Sequence, residues 1–223
     1  IGKDGKNKEV EMIRSQLGYT GKIHTISHHT AHAASAFYPS PFEEATVMVV
    51  DGLGSNANDL DATETPPFIM RMIDGKIQKK MEEVQSFYRA MDGRLFSIRK
   101  DYSMPGYRNG IGLLYMGTSV FLGMGDFGSG KVMGLAPYGC NTDRKFKKDF
   151  YELSDGTALI PSEKNFVRYN DYFQRCFYPD IPRRNKEKLP DEIYTQIAYE
   201  VQDAIEEALI AVANHLYKIS PSK

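Results

Sequence analysis

Ile193, Ile197, Val201, Ile205, Leu209, Val212 and Leu216 recur at steps of four and three, which places them along one stripe of a long helix. That stripe is the strongest periodic signal in the chain. The 223 residues are 41% hydrophobic and 26% charged, so a packed core is within reach, and the length corresponds to between one and two domains. Residues 46–50, Thr-Val-Met-Val-Val, are β-branched or apolar at every position, which predicts a strand buried on both faces. The strand ends at Asp51-Gly52-Leu53-Gly54.

Other elements follow from local signals. Residues 10–17 read as a short amphipathic helix, 18–21 as a turn, and 22–26 as a strand running into a histidine cluster. Residues 31–37 are helix-compatible, and Pro39-Ser40-Pro41 stops them, because the residue before a proline is pushed out of the helical region. Residues 67–73 and 76–84 are strand-like and meet at Asp74-Gly75, a hairpin signal, which predicts a three-stranded antiparallel meander with 46–50. Residues 110–123 read as a buried helix, although Gly112 and Gly117 each cost about 1 kcal/mol there relative to Ala. Glycines at those positions permit close packing. Residues 127–139 are glycine-rich and read as loop with one helical turn, the kind of backbone that approaches a ligand. From 140 to 190 the chain is polar, with Arg144, Lys145, Lys147 and Lys148 on a solvated face and a hairpin expected around Ser154-Asp155-Gly156.

Charge and cysteine usage narrow the class. Lys and Arg total 28 against 29 Asp and Glu, a net charge of −1, which argues against a general nucleic-acid binder or a polybasic membrane-surface protein. The longest apolar stretches, 45–50 and 112–116, fall short of the roughly 20 residues that span a bilayer. Cys140 and Cys176 form no CxxC pair, so a disulfide scaffold or cysteine zinc site is poorly supported and a reducing, cytoplasmic setting is expected. The chain begins at Ile1 with no apolar signal core, and the expectation is a piece of a longer protein.

His28 and His32 are four residues apart, so on a helix both imidazoles leave one face about a turn apart, close enough to share a divalent ion. His29 stands where an HExxH metalloprotease needs its glutamate, which disfavours a zinc peptidase. An isolated pair of this spacing is more often a polar helix face with capping histidines. Asp51, at the carboxyl end of a strand, adds the carboxylate that completes a set suited to non-haem iron, manganese or zinc, although Asp-Gly is also an ordinary turn. Gly125 to Val132 has the GxxxxGK skeleton, but Val132 replaces the magnesium-binding hydroxyl and a helix precedes it. Gly123 to Gly128 spells GxGxxG without the strand that motif requires. What remains is a set of glycine amides with Lys131, able to take an anionic or nucleotide ligand or to serve as a plain loop.

Taken in order, His28-His29-Thr30-Ala31-His32-Ala33-Ala34-Ser35-Ala36-Phe37-Tyr38, Ser40-Pro41-Phe42 and Asp51-Gly52-Leu53-Gly54 resemble the amino-terminal half of the NodU/CmcH family of O-carbamoyltransferases. Gly112-Leu113-Leu114-Tyr115 with Thr118 and Gly123, and then Gly130 to Gly139, continue the resemblance over residues 22–139. It implies an α/β chain with a mixed sheet and flanking helices, an incomplete TsaD-like domain of the actin-like ATPase, RNase H-like fold. The implied divisions are 1–139 as the partial TsaD-like subdomain, 140–190 as insertion or connector, and 191–223 as the helix opening a second subdomain.

The implied activity moves a carbamoyl group from carbamoyl-adenylate, made from carbamoyl phosphate and ATP in a YrdC-like domain, to a hydroxyl of a small-molecule or saccharide acceptor. Carried over by position, His28, His32 and Asp51 are metal ligands, with iron first and zinc or manganese as alternatives; Gly52, Gly54, Gly130, Lys131 and Gly134 line the nucleotide. No nucleic acid or membrane partner is expected. The family's catalytic histidine is expected before residue 1, and a further metal-ligand aspartate and the YrdC-like domain after Lys223, so the piece alone is expected not to turn over. Ser55 and Ser129 stand where the family usually has acids. A TsaD-like tRNA threonylcarbamoyl-transferase and a non-catalytic nucleotide-binding partner module are the competing readings.

Overall fold

The computed structural model describes residues 3–57, 60, 81–103, 110–139, 150–154, 157–159, 173–175, 177–185 and 192–222. Two compact units divide the chain, one of Ile1–Val49, Leu53–Pro105 and Ser222–Lys223, the other of Val50–Gly52 and Gly106–Pro221.

In the first unit, α1 (Lys3–Leu17) and α2 (His28–Phe37) precede β1 (Ala45–Val50), β2 (Glu82–Met91) and β3 (Arg94–Ser103), which form a sheet in the order β1-β2-β3. Ser27 caps α2 from an extended backbone, its Oγ accepting from Thr30 N at 3.3 Å, as short hydroxyl side chains do at helix starts. At the other end Ser40 Oγ donates to Phe37 O at 2.6 Å beside the prolines that stop the helix. His29, Ala33 and Phe37 form the buried face of α2, and Ala33 packs with Val49, Tyr88, Val47 and Leu95.

Two expectations are corrected here. Residues 22–26 form no strand among the described residues, and Ile26 is 66% exposed; without a neighbouring ladder a β-favouring sequence does not become a strand. Strand β1 is present, yet among the described residues it stands at the edge of its sheet and only Val49 of it is buried, so its apolar run does not mark burial on both faces.

The antiparallel hairpin joins β2 to β3 at Asp92-Gly93, with Met91 opposite Arg94. Both turn residues have positive φ, 52° at Asp92 and 67° at Gly93, the requirement of a type I′ turn and the reason that an Asp-Gly pair occupies it. The Asp74-Gly75 hairpin, with 67–73 and most of 76–84, lies outside the described residues, while Glu82 to Val84 fall in β2.

Strand β2 buries four successive residues, the polar Glu83, Gln85 and Ser86 together with Val84, where simple alternation would expose half. Register shifts at Glu83/Gln85 and Phe87/Tyr88 break the alternation. Residues 54–57 run along its start, with Gly54 N donating to Glu83 O at 2.6 Å, Glu83 N to Ser55 O at 3.0 Å and Ala57 N to Met81 O at 2.7 Å.

Beneath lies an ion pair. Lys100 Nζ donates to Glu83 Oε1 at 2.5 Å and to the Tyr88 hydroxyl at 2.8 Å, with both charged side chains 0% exposed. The ammonium also stands 5.1 Å from the centre of the Tyr88 ring.

In the second unit, α3 (Ile111–Phe121) is the buried helix expected from its composition. At Gly112 a Cβ would stand 2.5 Å from Asp51 O, so close backbone packing explains that glycine. Residues 129–138 are more helical than expected: α4 (Ser129–Leu135) is followed by a 3-10 turn over Ala136–Tyr138. Strands β4 (Glu152–Ser154) and β5 (Thr157–Leu159) form the short hairpin expected around 154–156.

Phe121, Phe150, Phe173, Phe177 and Tyr178 make a buried aromatic cluster, with Phe150 and Phe177 centred 4.9 Å apart and Phe121 and Phe173 5.4 Å apart. Arg184 Nη1 ties it to the end of α3 through Leu122 O at 3.0 Å. The long helix, α5 (Glu192–Ile219), buries Ile197, Val201, Ile205, Val212 and Leu216 of the expected stripe. It also buries Gln196 and Glu200, joined at 3.0 Å. Burial, and then the Glu200 charge, push the Tyr178 hydroxyl up. Tyr115 donates to Gln202 Oε1, and burial followed by the charge of Glu206 pushes its hydroxyl up to about 12. No helix among the described residues is long and apolar enough to cross a membrane.

Burial works against the Lys100 ammonium, but the hydrogen bonds to Glu83 and Tyr88 and the Glu83 charge outweigh it, so its pKa is raised above 10.5. The stabilisation this provides is complete below pH 10.5 and is lost as pH rises through the higher folded-state value. Lys100→Met leaves Glu83 buried without its cation and is expected to cost about 3–5 kcal/mol in urea unfolding, and to flatten the alkaline dependence of stability. Wild-type stability with no additional alkaline loss above that pH would contradict the pair.

Candidate metal centre

The capped first turn of α2 orients three histidine-cluster residues differently. His28 and His32 lie exposed on one face, while His29 points the other way and is fully buried. The Nε2 atoms of His28 and His32 are 3.1 Å apart, and their rings meet edge to face with centres 4.6 Å apart. Asp51 follows the last residue of β1, and one oxygen of its carboxylate lies with the two imidazole nitrogens in a group whose members are all within 4.8 Å of one another. Gly52 N donates to Asp51 Oδ1 at 2.6 Å, which fixes the carboxylate at the strand exit.

The donor set fits a divalent transition metal. Two ligands each 2.0–2.1 Å from a tetrahedral zinc stand about 3.3 Å apart, close to the observed separation of the imidazole nitrogens. Two imidazoles with a carboxylate equally suit iron or manganese. The exposed imidazoles leave a path for an ion from solvent.

The nucleotide-side candidates fall in two places. Gly52 and Gly54 flank the strand exit, and their amides donate to Asp51 Oδ1 and Glu83 O within the protein. Gly130, Lys131 and Gly134 lie on α4, where Lys131 is exposed and a Cβ at either glycine would meet nothing within 4 Å. The glycines therefore have different reasons. At Gly54 a Cβ would stand 2.7 Å from Cδ2 and Nε2 of His29 and 3.0 Å from Glu83 Cβ, so that position is closed by the buried histidine.

Sequence reasoning missed the residues underneath. His29 Nδ1 is 2.7 Å from Ser86 Oγ, and Thr30 Oγ1 lies 2.8 Å from Ser27 Oγ and 3.2 Å from the Tyr88 hydroxyl, which meets Lys100. Ser55 Oγ accepts from His28 N at 2.9 Å, and Ser55 N donates to Glu83 Oε2 at 2.9 Å. Ser55 Oγ thus serves as a helix-capping oxygen. The available signal was the set of polar residues Glu83, Gln85 and Ser86 around Val84, just ahead of the apolar Phe87 and Tyr88.

A model of the carbamoyltransferase N-terminus matches residues 6–220. Nodulation protein NolNO of Sinorhizobium fredii is 28% identical over 203 residues, covering 91% of this chain and 24% of that protein. Nodulation protein NolO of Bradyrhizobium diazoefficiens is 28% identical over 191 residues, covering 85% of this chain and 27% of that protein. An uncharacterized Synechocystis protein is 26% identical over 206 residues, covering 86% of this chain and 27% of that protein. The chain spans about a quarter of the length of these relatives.

Gly54→Ala is expected to destabilise the chain by about 1–3 kcal/mol, the usual range for overpacking, because the added methyl meets His29. Chemical denaturation of the variant measures this; unchanged stability would mean that His29 and the segment after Asp51 are not packed as described.

Proposed function

The chain belongs to the carbamoyltransferase N-terminal family, and from that membership we propose that it forms the metal-holding part of a site that transfers a carbamoyl group to an acceptor hydroxyl. The observation that carries this reading is the convergence of His28, His32 and Asp51 ligand atoms within 4.8 Å. In this reading the two units belong to an actin-like ATPase architecture, the donor is carbamoyl-adenylate formed from carbamoyl phosphate and ATP, and the acceptor is a small molecule or saccharide. The bond formed joins the carbamoyl carbon to the acceptor oxygen, the bond broken is the anhydride bond to the adenylate phosphate, AMP departs, and the hydroxyl proton is released.

His28, His32 and Asp51 hold the ion, iron in the first instance with zinc or manganese as alternatives. A bound divalent ion supplies Lewis acidity and a template for phosphate oxygens. The chain's own contribution is orientation: α2 presents both imidazoles from one face, and Gly52 N keeps the Asp51 carboxylate at the strand exit. Gly130, Lys131 and Gly134 offer an open, cationic helix surface to the nucleotide.

Anaerobic calorimetric titration with iron(II), and separately with manganese(II) and zinc(II), is expected to show one equivalent bound by the wild type and none by the His28→Ala/His32→Ala variant. AMP, the departing nucleotide, is expected to bind the metal-loaded chain more tightly than the metal-free chain. Metal uptake unchanged in the double variant would remove the ion from these residues, and equal AMP affinity in both states would separate the metal from the adenylate.

A further inference from the structure

We infer that Ser55 is a positioning residue that sets where the first turn of α2, and with it His28, stands, an inference that rests on the metal reading above. Helix α2 begins with backbone N–H groups that have no partner inside the helix. Ser27 Oγ takes the one from Thr30, and Ser55 Oγ takes the one from His28 at 2.9 Å. The second cap comes from a different stretch of chain, four residues after Asp51. One hydroxyl therefore fastens the backbone of a ligand histidine to the segment that runs along the start of β2.

Ser55 is itself held from both sides. Its N donates to Glu83 Oε2 at 2.9 Å, and its carbonyl accepts from Glu83 N at 3.0 Å. Glu83 cannot drift, because its other oxygen receives Lys100 Nζ at 2.5 Å with both side chains fully buried. His29 adds a second fastening to the same turn, with Nδ1 2.7 Å from Ser86 Oγ and the ring closed over by Gly54. The outward face of α2 carries the ligands and the inward face carries the anchors, so a movement of the turn at Ser55 displaces His28 directly. Partners that orient metal ligands typically cost 10–100-fold in affinity when removed, and Ser55, acting through the His28 backbone, belongs at about the lower end of that range.

The test uses cobalt(II) as probe on the full 223-residue chain, reading both the dissociation constant and the visible d–d absorption, whose energy and intensity report ligand geometry. Ser55→Ala is expected to bind about 10-fold more weakly with an altered spectrum. Ser55→Thr, which keeps the hydroxyl, is expected to restore both, and Ser55→Val, of the same shape as the threonine without its hydroxyl, is expected to behave as the alanine variant does. The threonine and valine pair keeps the comparison interpretable if the alanine variant folds poorly. Wild-type affinity and spectrum in Ser55→Ala and Ser55→Val would overturn the positioning role while leaving the metal site standing. Wild-type cobalt binding that persists in His28→Ala/His32→Ala would overturn the metal reading and this inference with it.

Discussion

Glu83 and Lys100 are removed from water together, and much of the first unit is arranged to make that tolerable. Each ion alone would carry a desolvation penalty of several kcal/mol, so the pair requires short contacts and partners for the remaining polar atoms. Glu83 spends one oxygen on Lys100 and the other on the Ser55 amide, while Lys100 also reaches the Tyr88 hydroxyl. These bonds tie β2, β3 and the segment after Asp51 into one block. A one-residue slip in the hairpin would turn Lys100 to the opposite face and leave Glu83 buried alone, so the pair specifies register as well as contact.

The imidazoles of His28 and His32 are exposed on the outer side of that block. Helix α2 is fastened below through His29 to Ser86 and through Thr30 to Tyr88, and at its start through His28 N to Ser55. Its exposed side is left to the two imidazoles. A divalent ion demands ligand positions correct to a few tenths of an ångström, and a helix fixed by three separate hydrogen-bonded contacts is suited to supply them. On the carboxylate side, Gly112 allows α3 to approach the backbone at Asp51, and Gly52 N orients the carboxylate itself.

The parts of this arrangement carried by short-range patterns were readable from the residues. The stripe from Ile193 to Leu216 needs only helical periodicity, and Ile197, Val201, Ile205, Val212 and Leu216 of it are buried in α5. His28 and His32 need only a spacing of four on a helix, and Asp51 only the end of a strand. Long-range pairing was not readable. Strand β1 looks doubly buried because its residues are apolar, but among the described residues only Val49 of it is buried, which depends on what packs against it rather than on its own composition. The Asp92-Gly93 turn carries the same two residues as Asp74-Gly75, yet the bulges in β2 blur the alternation that would have marked its flanking strands. Glu83 and Lys100 are separated by a hairpin, and neither residue type signals burial unless its partner is already known. The packing of Gly54 against His29 is equally long-range and leaves no mark in the local pattern.

The most direct measurement is X-ray absorption at the zinc edge on the chain loaded with one equivalent of zinc, compared with its His28→Ala and Asp51→Ala variants. The account predicts two imidazole ligands, with their characteristic outer-ring scattering at a zinc–nitrogen distance of about 2.0–2.1 Å, together with oxygen donors. One imidazole should disappear in His28→Ala, and both should remain in Asp51→Ala. A wild-type spectrum without imidazole scattering, or one that His28→Ala leaves unchanged, would contradict a metal centre built from His28, His32 and Asp51.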